Sequence, residues 1–121
     1  MDNSVINREQ LIHRVKNCLQ RAYGDRLKGV VLYGSEAREE ADPDSDIDIL
    51  VLLKGPISLW KDIRTNVEAL YDLQLEILRP LHAMPVNTED FEAGKYAVYR
   101  NAKREGIFVR MKKQLDFGIE P

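Results

Sequence analysis

Two aspartates separated by a single residue are the first candidates for chemistry in this sequence. Asp46 and Asp48 open an apolar run, Ile47–Leu53, that is predicted to be a buried strand. Side chains two positions apart on a strand share a face, so the two carboxylates should project together, with α-carbons about 6.5–7 Å apart. Hard oxygen ligands at that separation can hold a pair of divalent cations, which suits in-line displacement at phosphorus.

A glycine–serine pair lies shortly before the aspartates and follows another apolar run. Gly34 and Ser35 come directly after residues 29–33, a predicted strand, and ten residues separate the pair from Asp46. Glycine lets the backbone approach a triphosphate closely, the following N–H groups can donate to its oxygens, and the serine hydroxyl adds one more donor. Adjacent strands would therefore supply a phosphate-binding loop and a metal-binding pair.

The segment that joins these two motifs is strongly acidic. Residues 36–48 contain seven carboxylates and a single basic side chain, Arg38. Like charges at close range raise the cost of ionising one another, and a surface loop can solvate only its own share. Asp46 and Asp48 lie beside a buried strand, so we expect them to need bound cations.

Hydrophobic periodicity indicates the elements that position the motifs. Apolar residues at three- and four-residue intervals predict a helix that begins after a cap at Asn7 and ends at Gly24. The short connection between the strands at 29–33 and Ile47–Leu53 predicts that they pair as antiparallel neighbours. Both motifs would then lie at the same end of that strand pair.

The second half of the chain carries weaker patterns. They predict, in order, a helix from Ser58 to about Tyr71, a strand at 73–78, a loop at 81–87, a helical stretch at 88–104 broken near Gly94, and a short strand at 107–109. This order of elements predicts an α+β fold, a small mixed β-sheet with helices packed on one side, in a single domain over residues 1–121.

Composition and charge argue against several classes of protein. The chain has 121 residues and a net charge of −2, which argues against binding nucleic acid directly through bulk charge. Its single cysteine, Cys18, can form neither an intramolecular disulfide nor a cysteine-rich zinc site. No apolar run approaches the ~18 residues that cross a bilayer, and the first residues are unlike a signal peptide. We therefore expect a cytoplasmic protein without a membrane partner.

The combined motif closely resembles that of the minimal nucleotidyltransferases. Residues 33–38 read YGSEAR, residues 43–45 read PDS, and the Asp-Ile-Asp at 46–48 follows. These features are similar to those of the DNA polymerase β-like superfamily, which includes kanamycin nucleotidyltransferase, and the resemblance extends to the closing segment 101–107. It implies a nucleotidyltransferase fold and a Mg²⁺-dependent transfer of a nucleoside monophosphate from a nucleoside triphosphate.

The resemblance also implies roles for individual residues. In the family the Gly-Ser pair binds triphosphate, the Asp-x-Asp pair binds Mg²⁺, and a third carboxylate on a later strand completes a site in which two ions are possible. Carried over to this chain, the nucleotide-binding residues are Gly34, Ser35, Arg38 and Ser45. The residues implied to bind metal and to act in catalysis are Asp46, Asp48 and Glu76.

The third carboxylate is open between two residues. Parity along the predicted third strand cannot separate Asp72 from Glu76, because both would lie on the same face. Glu76 is favoured because it falls in mid-strand, four residues before Pro80, where relatives often place an acid. Asp72 falls at the end of the preceding helix.

The family resemblance implies a protein acceptor. Many members are antitoxins encoded beside HEPN-type RNase toxins, and some transfer AMP to a toxin tyrosine. We therefore expect transfer of AMP from ATP to a hydroxyl of a HEPN-type toxin, within a hetero-oligomer. One alternative is an antitoxin that occludes its toxin without turnover, and another is a nucleotidyltransferase for a small molecule such as an aminoglycoside. The chain length favours the protein acceptor, since small-molecule enzymes usually carry an additional helical domain.

Two positions depart from the family motif. Many relatives have arginine after Gly-Ser and glycine after Ala-Arg, whereas this chain has Glu36 and Glu39. Two further negative charges beside a triphosphate oppose nucleotide binding, and a non-catalytic antitoxin would tolerate them.

Other conspicuous side chains are predicted to lie outside the chemistry. His13 should be an exposed helix residue, Trp60 should pack a helix, and His82 falls in the predicted loop, from which it could approach the site. A basic cluster is either a solvated face or a grip on the acceptor: Arg100, Lys103, Arg104, Arg110, Lys112 and Lys113.

Overall fold

The computed structural model describes residues 7–34, 37 and 45–111. The elements in these ranges are α1 (Arg8–Tyr23), a 3-10 turn (Gly24–Arg26), β1 (Leu27–Tyr33), β2 (Ile47–Leu53), α2 (Leu59–Ala69), α3 (Tyr71–Ile77), β3 (Leu81–Asn87), α4 (Thr88–Glu92), α5 (Ala97–Glu105) and β4 (Ile107–Arg110). Within the same ranges no helix is long and apolar enough to span a bilayer.

The strands form a sheet in the order β3-β2-β1-β4. β1 pairs antiparallel with β2, which confirms the prediction from their short connection, and antiparallel with β4 on its other side. β2 pairs in parallel with β3, because the chain crosses back through α2 and α3 before it enters β3. This register places Asp48 between Tyr33 of β1 and His82 of β3.

Helix α1 confirms the predicted boundaries. The Asn7 side chain accepts a hydrogen bond from the Gln10 backbone N–H at 2.8 Å, and the Gln10 side chain accepts one from the Asn7 N–H at 3.3 Å, which together make a capping box. Gly24 ends the helix with φ at 60°. The buried side chains of α1 are the predicted periodic ones, Leu11, Ile12, Val15 and Leu19.

Both faces of the sheet are covered by helices. Alternate strand residues such as Ile49 pack in one cluster with α1 and α3, whereas the intervening residues such as Leu50 pack in another with Phe91 of α4 and Ala102 of α5. The predicted α+β fold with a mixed sheet is confirmed. The prediction that the helices pack on one side is corrected, because the continuous apolar run of β2 must be buried on both faces.

The predicted third strand at 73–78 is wrong, because Tyr71–Ile77 forms helix α3. Leu70, Leu73 and Ile77 lie at three- and four-residue intervals and pack in the same cluster as α1, while Leu75 is 59% exposed. The apolar–polar alternation over these six residues also fits a helical spacing that starts at Leu70. Periodicity over so short a segment does not distinguish a strand from a helix.

The third strand of the chain is β3, Leu81–Asn87, where the sequence predicts a loop. Pro80 and Pro85 argue against a strand there, since proline cannot donate a backbone hydrogen bond. β3 lies at the edge of the sheet, and an edge strand tolerates proline because only one of its sides is hydrogen-bonded. His82 is consequently a strand residue.

The last part of the described chain agrees with its prediction. The helical stretch breaks into α4 and α5 around Gly94, Gly106 follows the end of α5, and the short final strand is β4.

An ion pair with a buried carboxylate joins the 3-10 turn before β1 to helix α2. Asp62 is 1% exposed, and its carboxylate accepts hydrogen bonds from Arg26 Nη1 at 2.8 Å, from Arg26 Nη2 at 3.0 Å and from the Ser58 backbone N–H at 3.0 Å. Ser58, where the sequence predicts that the helix begins, is the N-cap residue of α2, although its own side chain makes no capping hydrogen bond. The hydrogen bond from Arg26 lowers the pKa of Asp62, and the pair therefore stabilises the fold when it is ionised.

Replacing Asp62 with alanine is expected to lower the free energy of unfolding by on the order of 3 kcal/mol, because Arg26 and the Ser58 N–H lose their partner. A carboxyl pKa lowered by folding contributes stability above the unfolded value of 3.8, and this stability is lost as pH falls through the lowered folded value. The difference in the free energy of unfolding between parent and variant should be largest at pH 7 and should shrink below about pH 3.8. Urea unfolding over this pH range measures it.

The matched control for this ion pair is Glu76→Ala, which removes the carboxylate partner of Arg14 from a solvent-exposed pair. Exposed ion pairs contribute little, so the unfolding free energy should barely change. If the Asp62 and Glu76 substitutions lower the free energy of unfolding equally, burial of the Asp62 carboxylate does not make its ion pair more stabilising.

Candidate functional site

Gly34 and Asp48 lie against each other at one end of the sheet. Gly34 follows directly after β1, and Asp48 is paired with Tyr33, the last residue of that strand. The backbone of Gly34 has φ at +71°, and a Cβ placed on it would stand 2.9 Å from Asp48 Oδ2. Any other residue at this position would be strained and would also displace the carboxylate. The predicted phosphate-binding glycine and the predicted metal ligand thus lie next to each other.

The two aspartates converge on one side chain of the neighbouring strand. His82 Nδ1 lies 3.4 Å from Asp46 Oδ2 and 3.9 Å from Asp48 Oδ1. The shared approach to one nitrogen atom agrees with the prediction that the two carboxylates project together. Burial raises the pKa of Asp48, the charge of Asp46 raises it further, and His82 opposes both. The site therefore disfavours negative charge on Asp48 until a cation is nearby.

The donor set fits a divalent cation that is completed by its substrate. In the described part of the chain, no group of three or more His, Cys, Asp and Glu side chains could hold a metal ion. Mg²⁺ is usually held by one or two carboxylates, with waters and substrate phosphates filling the other positions. Asp46 and Asp48 have 48% and 35% of their side-chain surfaces exposed, which leaves room for those ligands.

Ser45 is held at the entry to β2. Arg79 Nε donates to the Ser45 carbonyl at 2.9 Å, and Arg79 Nη2 donates to the Ser45 hydroxyl oxygen at 3.1 Å. The Ile47 N–H donates to the Pro80 carbonyl at 2.8 Å, so the segments before β2 and β3 are bound to each other. This anchoring orients Asp46, which lies between Ser45 and Ile47. The sequence carries no signal for Arg79, because its contact depends on the parallel register of β2 and β3.

Glu76 is not brought to the aspartates, and its prediction as a strand residue beside them is wrong. It lies on α3, whose residues pack on the opposite face of the sheet from Asp48. Its carboxylate accepts two hydrogen bonds from Arg14 of α1, at 2.8 and 2.7 Å, and this guanidinium lowers the pKa of Glu76. Asp72, the alternative, is an exposed residue on the same helix. The position beside Asp48 on the adjacent strand belongs to His82.

Six residues of the motif lie outside the described ranges, namely Ser35, Glu36, Arg38, Glu39, Pro43 and Asp44. Their roles remain predictions.

A cavity of about 150 Å³ adjoins Gly34 between β1 and α5. Its lining includes Tyr33, Asn101, Ala102 and Glu105. Burial raises the pKa of Tyr33, and the charge of Asp48 adds to this effect. Helix α5 therefore forms one wall beside the predicted phosphate-binding glycine, and its residues belong to the closing segment that resembles the family. A larger cleft of about 1000 Å³ contains none of the predicted nucleotide-binding, metal-binding or catalytic residues, although Arg110 of the basic cluster lines it.

Known proteins resemble this chain over most of its length. The family model described as "Nucleotidyltransferase domain" matches residues 12–109. A protein of Methanocaldococcus jannaschii, named as a putative protein adenylyltransferase, is 40% identical over 103 residues, which cover 84% of this chain and 96% of that protein. A second protein with this description from the same organism is 40% identical over 72 residues, covering 58% and 71% of the two chains.

Solved structures share the fold at low sequence identity. A crystal structure of a toxin–antitoxin with AMP-PNP has a TM-score of 0.59 and 16% identity, covering 84% of this chain and 73% of that chain. A structure described as a putative minimal nucleotidyltransferase has a TM-score of 0.53 and 22% identity, covering 87% and 98% of the two chains.

Proposed function

Since the chain belongs to the nucleotidyltransferase domain family and is a nucleotidyltransferase, we propose that it uses Mg²⁺ to transfer AMP from ATP to a hydroxyl of a HEPN-type toxin, and so acts as the antitoxin of that partner. The observation that carries this proposal is the contact between Gly34 and Asp48. Gly34 lets the backbone approach phosphates, and it lies beside a carboxylate that needs a cation. A Cβ placed on Gly34 would be 2.9 Å from Asp48 Oδ2. A bound Mg²⁺–triphosphate requires both at one place.

The chain positions the reactants and neutralises charge. The acceptor oxygen forms a bond to the α-phosphorus, the bond from that phosphorus to the bridging oxygen breaks, pyrophosphate leaves, and the hydroxyl proton passes to solvent. When bound, Mg²⁺ supplies positive charge to the triphosphate. Asp46 and Asp48 would hold it, and Gly34, with the predicted Ser35 and Arg38, would bind the phosphates. Arg79 would keep Ser45 and the start of β2 in place.

A protein acceptor is supported by the relatives and by the surface. The 40% identical relative is described as a protein adenylyltransferase, and a structure of the same fold is a toxin–antitoxin with AMP-PNP. Helices α2 and α3 also expose large apolar side chains, which is typical of surfaces that bind other proteins. These are Leu59, Trp60 and Val67 of α2, Tyr71 and Leu75 of α3, and Leu78, which follows α3. The prediction that Trp60 packs a helix is wrong, because this residue is 77% exposed.

The second candidate is an antitoxin that binds its toxin without transferring AMP. The same exposed apolar surface on α2 and α3 favours it, because occlusion needs only a docking face. It does not explain why Asp46 and Asp48 are held together, since the two carboxylates repel each other without a cation.

We expect that incubation with ATP, Mg²⁺ and the toxin encoded beside this protein will raise the toxin's intact mass by one or more AMP units. ATP with a methylene group in place of the α,β-bridging oxygen is the control, because it binds as ATP does but cannot release pyrophosphate. Toxin neutralisation without a mass change would favour the binding module. AMP found on an aminoglycoside, with the toxin unchanged, would favour the small-molecule acceptor.

A further inference from the structure

A basic cleft lies at the opposite end of the sheet from Gly34 and Asp48. Its volume is about 1000 Å³, and it is lined by α1, the 3-10 turn, the start of β1, the residue after β2 and the end of β4. Lys54 of this lining follows β2, whereas Asp48 lies near the start of that strand, and the extended strand places about 20 Å between their α-carbons. A ligand in the cleft is therefore well separated from the candidate metal site.

Most of the positive charge that lines the cleft is not neutralised within the protein. Five lysine and arginine side chains line it against a single carboxylate, that of Asp25. Arg26 and Arg110 are paired with carboxylates of α2 and α4. Within the described residues, the three remaining side chains make no ion pair, and they are Lys16, Lys28 and Lys54. Because ammonium groups that share one space repel each other, their convergence indicates an anionic ligand.

The backbone that carries two of these lysines is held in place. The Lys54 N–H donates to the Arg26 carbonyl at 2.8 Å, and Arg26 Nε donates to the Lys54 carbonyl at 3.0 Å. The Met111 N–H donates to the Lys28 carbonyl at 3.0 Å. These bonds join the adjacent ends of β1, β2 and β4, so Lys28 and Lys54 extend from a fixed edge of the sheet.

The net charge of the chain conceals this basic region. Residues 36–48 contain seven carboxylates and one basic side chain, so the rest of the chain has a net charge of +4 although the whole chain has −2. At physiological salt, exposed charges more than about 8 Å apart are largely screened from each other. The aspartate pair at the far end of the sheet therefore does not cancel the attraction of the cleft for anions. The expectation against nucleic acid rests on bulk charge and does not apply to this cleft.

We propose that the cleft binds a chain of linked phosphate groups, either the backbone of a single-stranded nucleic acid or inorganic polyphosphate. Lysine binds phosphate as a compact point charge with three donors, and three lysines around about 1000 Å³ fit several phosphates better than one. None of the described lining residues is aromatic, so bases would have no surface on which to stack. The apolar lining residues, Leu27, Val109 and Met111, are buried or half-buried, whereas a protein partner needs exposed apolar anchors.

Titration of the parent protein with tripolyphosphate and with single-stranded oligouridylate, both in EDTA, tests this site. Removal of divalent cations disfavours phosphate binding beside the aspartates. In ¹H–¹⁵N spectra, the amide signals of Lys28, Lys54 and Met111 should shift on binding, and those of Gly34 and Asp48 should not.

A charge-matched pair of variants makes the test specific. Lys28→Gln/Lys54→Gln should weaken phosphate binding at least about tenfold, and the slope of log affinity against log salt should become shallower by about 1–2. Lys61→Gln/Arg64→Gln removes the same charge from α2, outside the cleft, and should leave both quantities unchanged.

The comparison of ligands identifies the source of the phosphates. Tighter binding of oligouridylate assigns the cleft to nucleic acid, and tighter binding of tripolyphosphate assigns it to inorganic polyphosphate. Binding of neither ligand, or equal losses in the two double variants, overturns the proposal. Oligoglutamate of equal charge that binds as tightly as oligouridylate also overturns it, by assigning the cleft to an acidic protein segment. The proposed function is tested separately by AMP transfer, because the cleft contains none of its residues.

Discussion

Replacing both Asp46 and Asp48 with asparagine is expected to abolish AMP transfer, by a factor on the order of 10³ or more. Asparagine keeps the size and the strand geometry but removes two negative charges that would hold the cation. Loss of metal-assisted charge neutralisation raises the barrier by several kcal/mol, and each 1.36 kcal/mol is about tenfold in rate. Single-turnover labelling of the toxin from radioactive ATP measures the rate. Undiminished transfer by the double variant would remove both residues from the site.

The folded state of this variant should not suffer in metal-free buffer. Burial raises the pKa of Asp48 above its value of 3.8 in the unfolded chain, so the folded protein binds that proton more tightly. The contribution of protonated Asp48 to the free energy of unfolding is present below pH 3.8 and is lost as pH rises through the raised pKa of the folded state. At pH 7 the ionised, partly buried carboxylate therefore lowers the stability of the fold to its full extent. Asparagine removes this penalty, and thermal unfolding at pH 7 without metal should show an unchanged or higher Tm.

Two further variants make the aspartate result specific. Asp25→Asn also removes a carboxylate, but from the 3-10 turn after α1, and should leave transfer unchanged. Glu76→Gln tests whether Glu76 acts as the third carboxylate of the site. The strand predicted from the sequence requires a large loss of transfer, whereas the observed pair with Arg14 on the other face of the sheet predicts that transfer is retained.

The parts of the site that were predictable are those formed by nearby residues. Gly34 and Asp48 are brought together by a simple antiparallel pair, β1 and β2, and both strands are mostly apolar. Helix α1 was equally predictable, because its apolar residues recur at helical spacing over four turns and a capping box marks its start. Long regular patterns and local motifs determine such elements almost independently of the rest of the chain.

The parts that were not predictable depend on long-range pairing. His82 reaches Asp48 only because β3 pairs in parallel with β2 after a crossover through two helices. Pro85 in β3 obscured that strand, and the short alternation in α3 suggested a strand in its place. Because the third carboxylate was assigned from that alternation, the error in secondary structure became an error at the site. Arg79 and the α5 wall depend on the same tertiary contacts.

Gly34→Ala is expected to weaken nucleotide binding by roughly 100-fold, which corresponds to about 2.7 kcal/mol. The added methyl group would stand 2.9 Å from Asp48 Oδ2, so the carboxylate must move away from the place where it would hold the cation. The larger branched side chain of Gly34→Val should eliminate measurable binding. Calorimetry with Mg²⁺ and α,β-methylene ATP measures the affinity in the absence of turnover.

Backbone strain alone must be separated from this effect, and Gly24 offers the matched control. It also has a positive φ, +60°, but a Cβ placed there meets nothing within 4 Å. Gly24→Ala should therefore lower the unfolding free energy by about 1–3 kcal/mol, because a φ of 60° with a ψ of −134° is a conformation that only glycine adopts readily, and it should leave nucleotide affinity unchanged. Gly34→Ala should show a comparable loss of stability together with the loss of affinity. If Gly34→Ala and Gly34→Val bind the nucleotide as tightly as Gly24→Ala does, Gly34 does not line the triphosphate site.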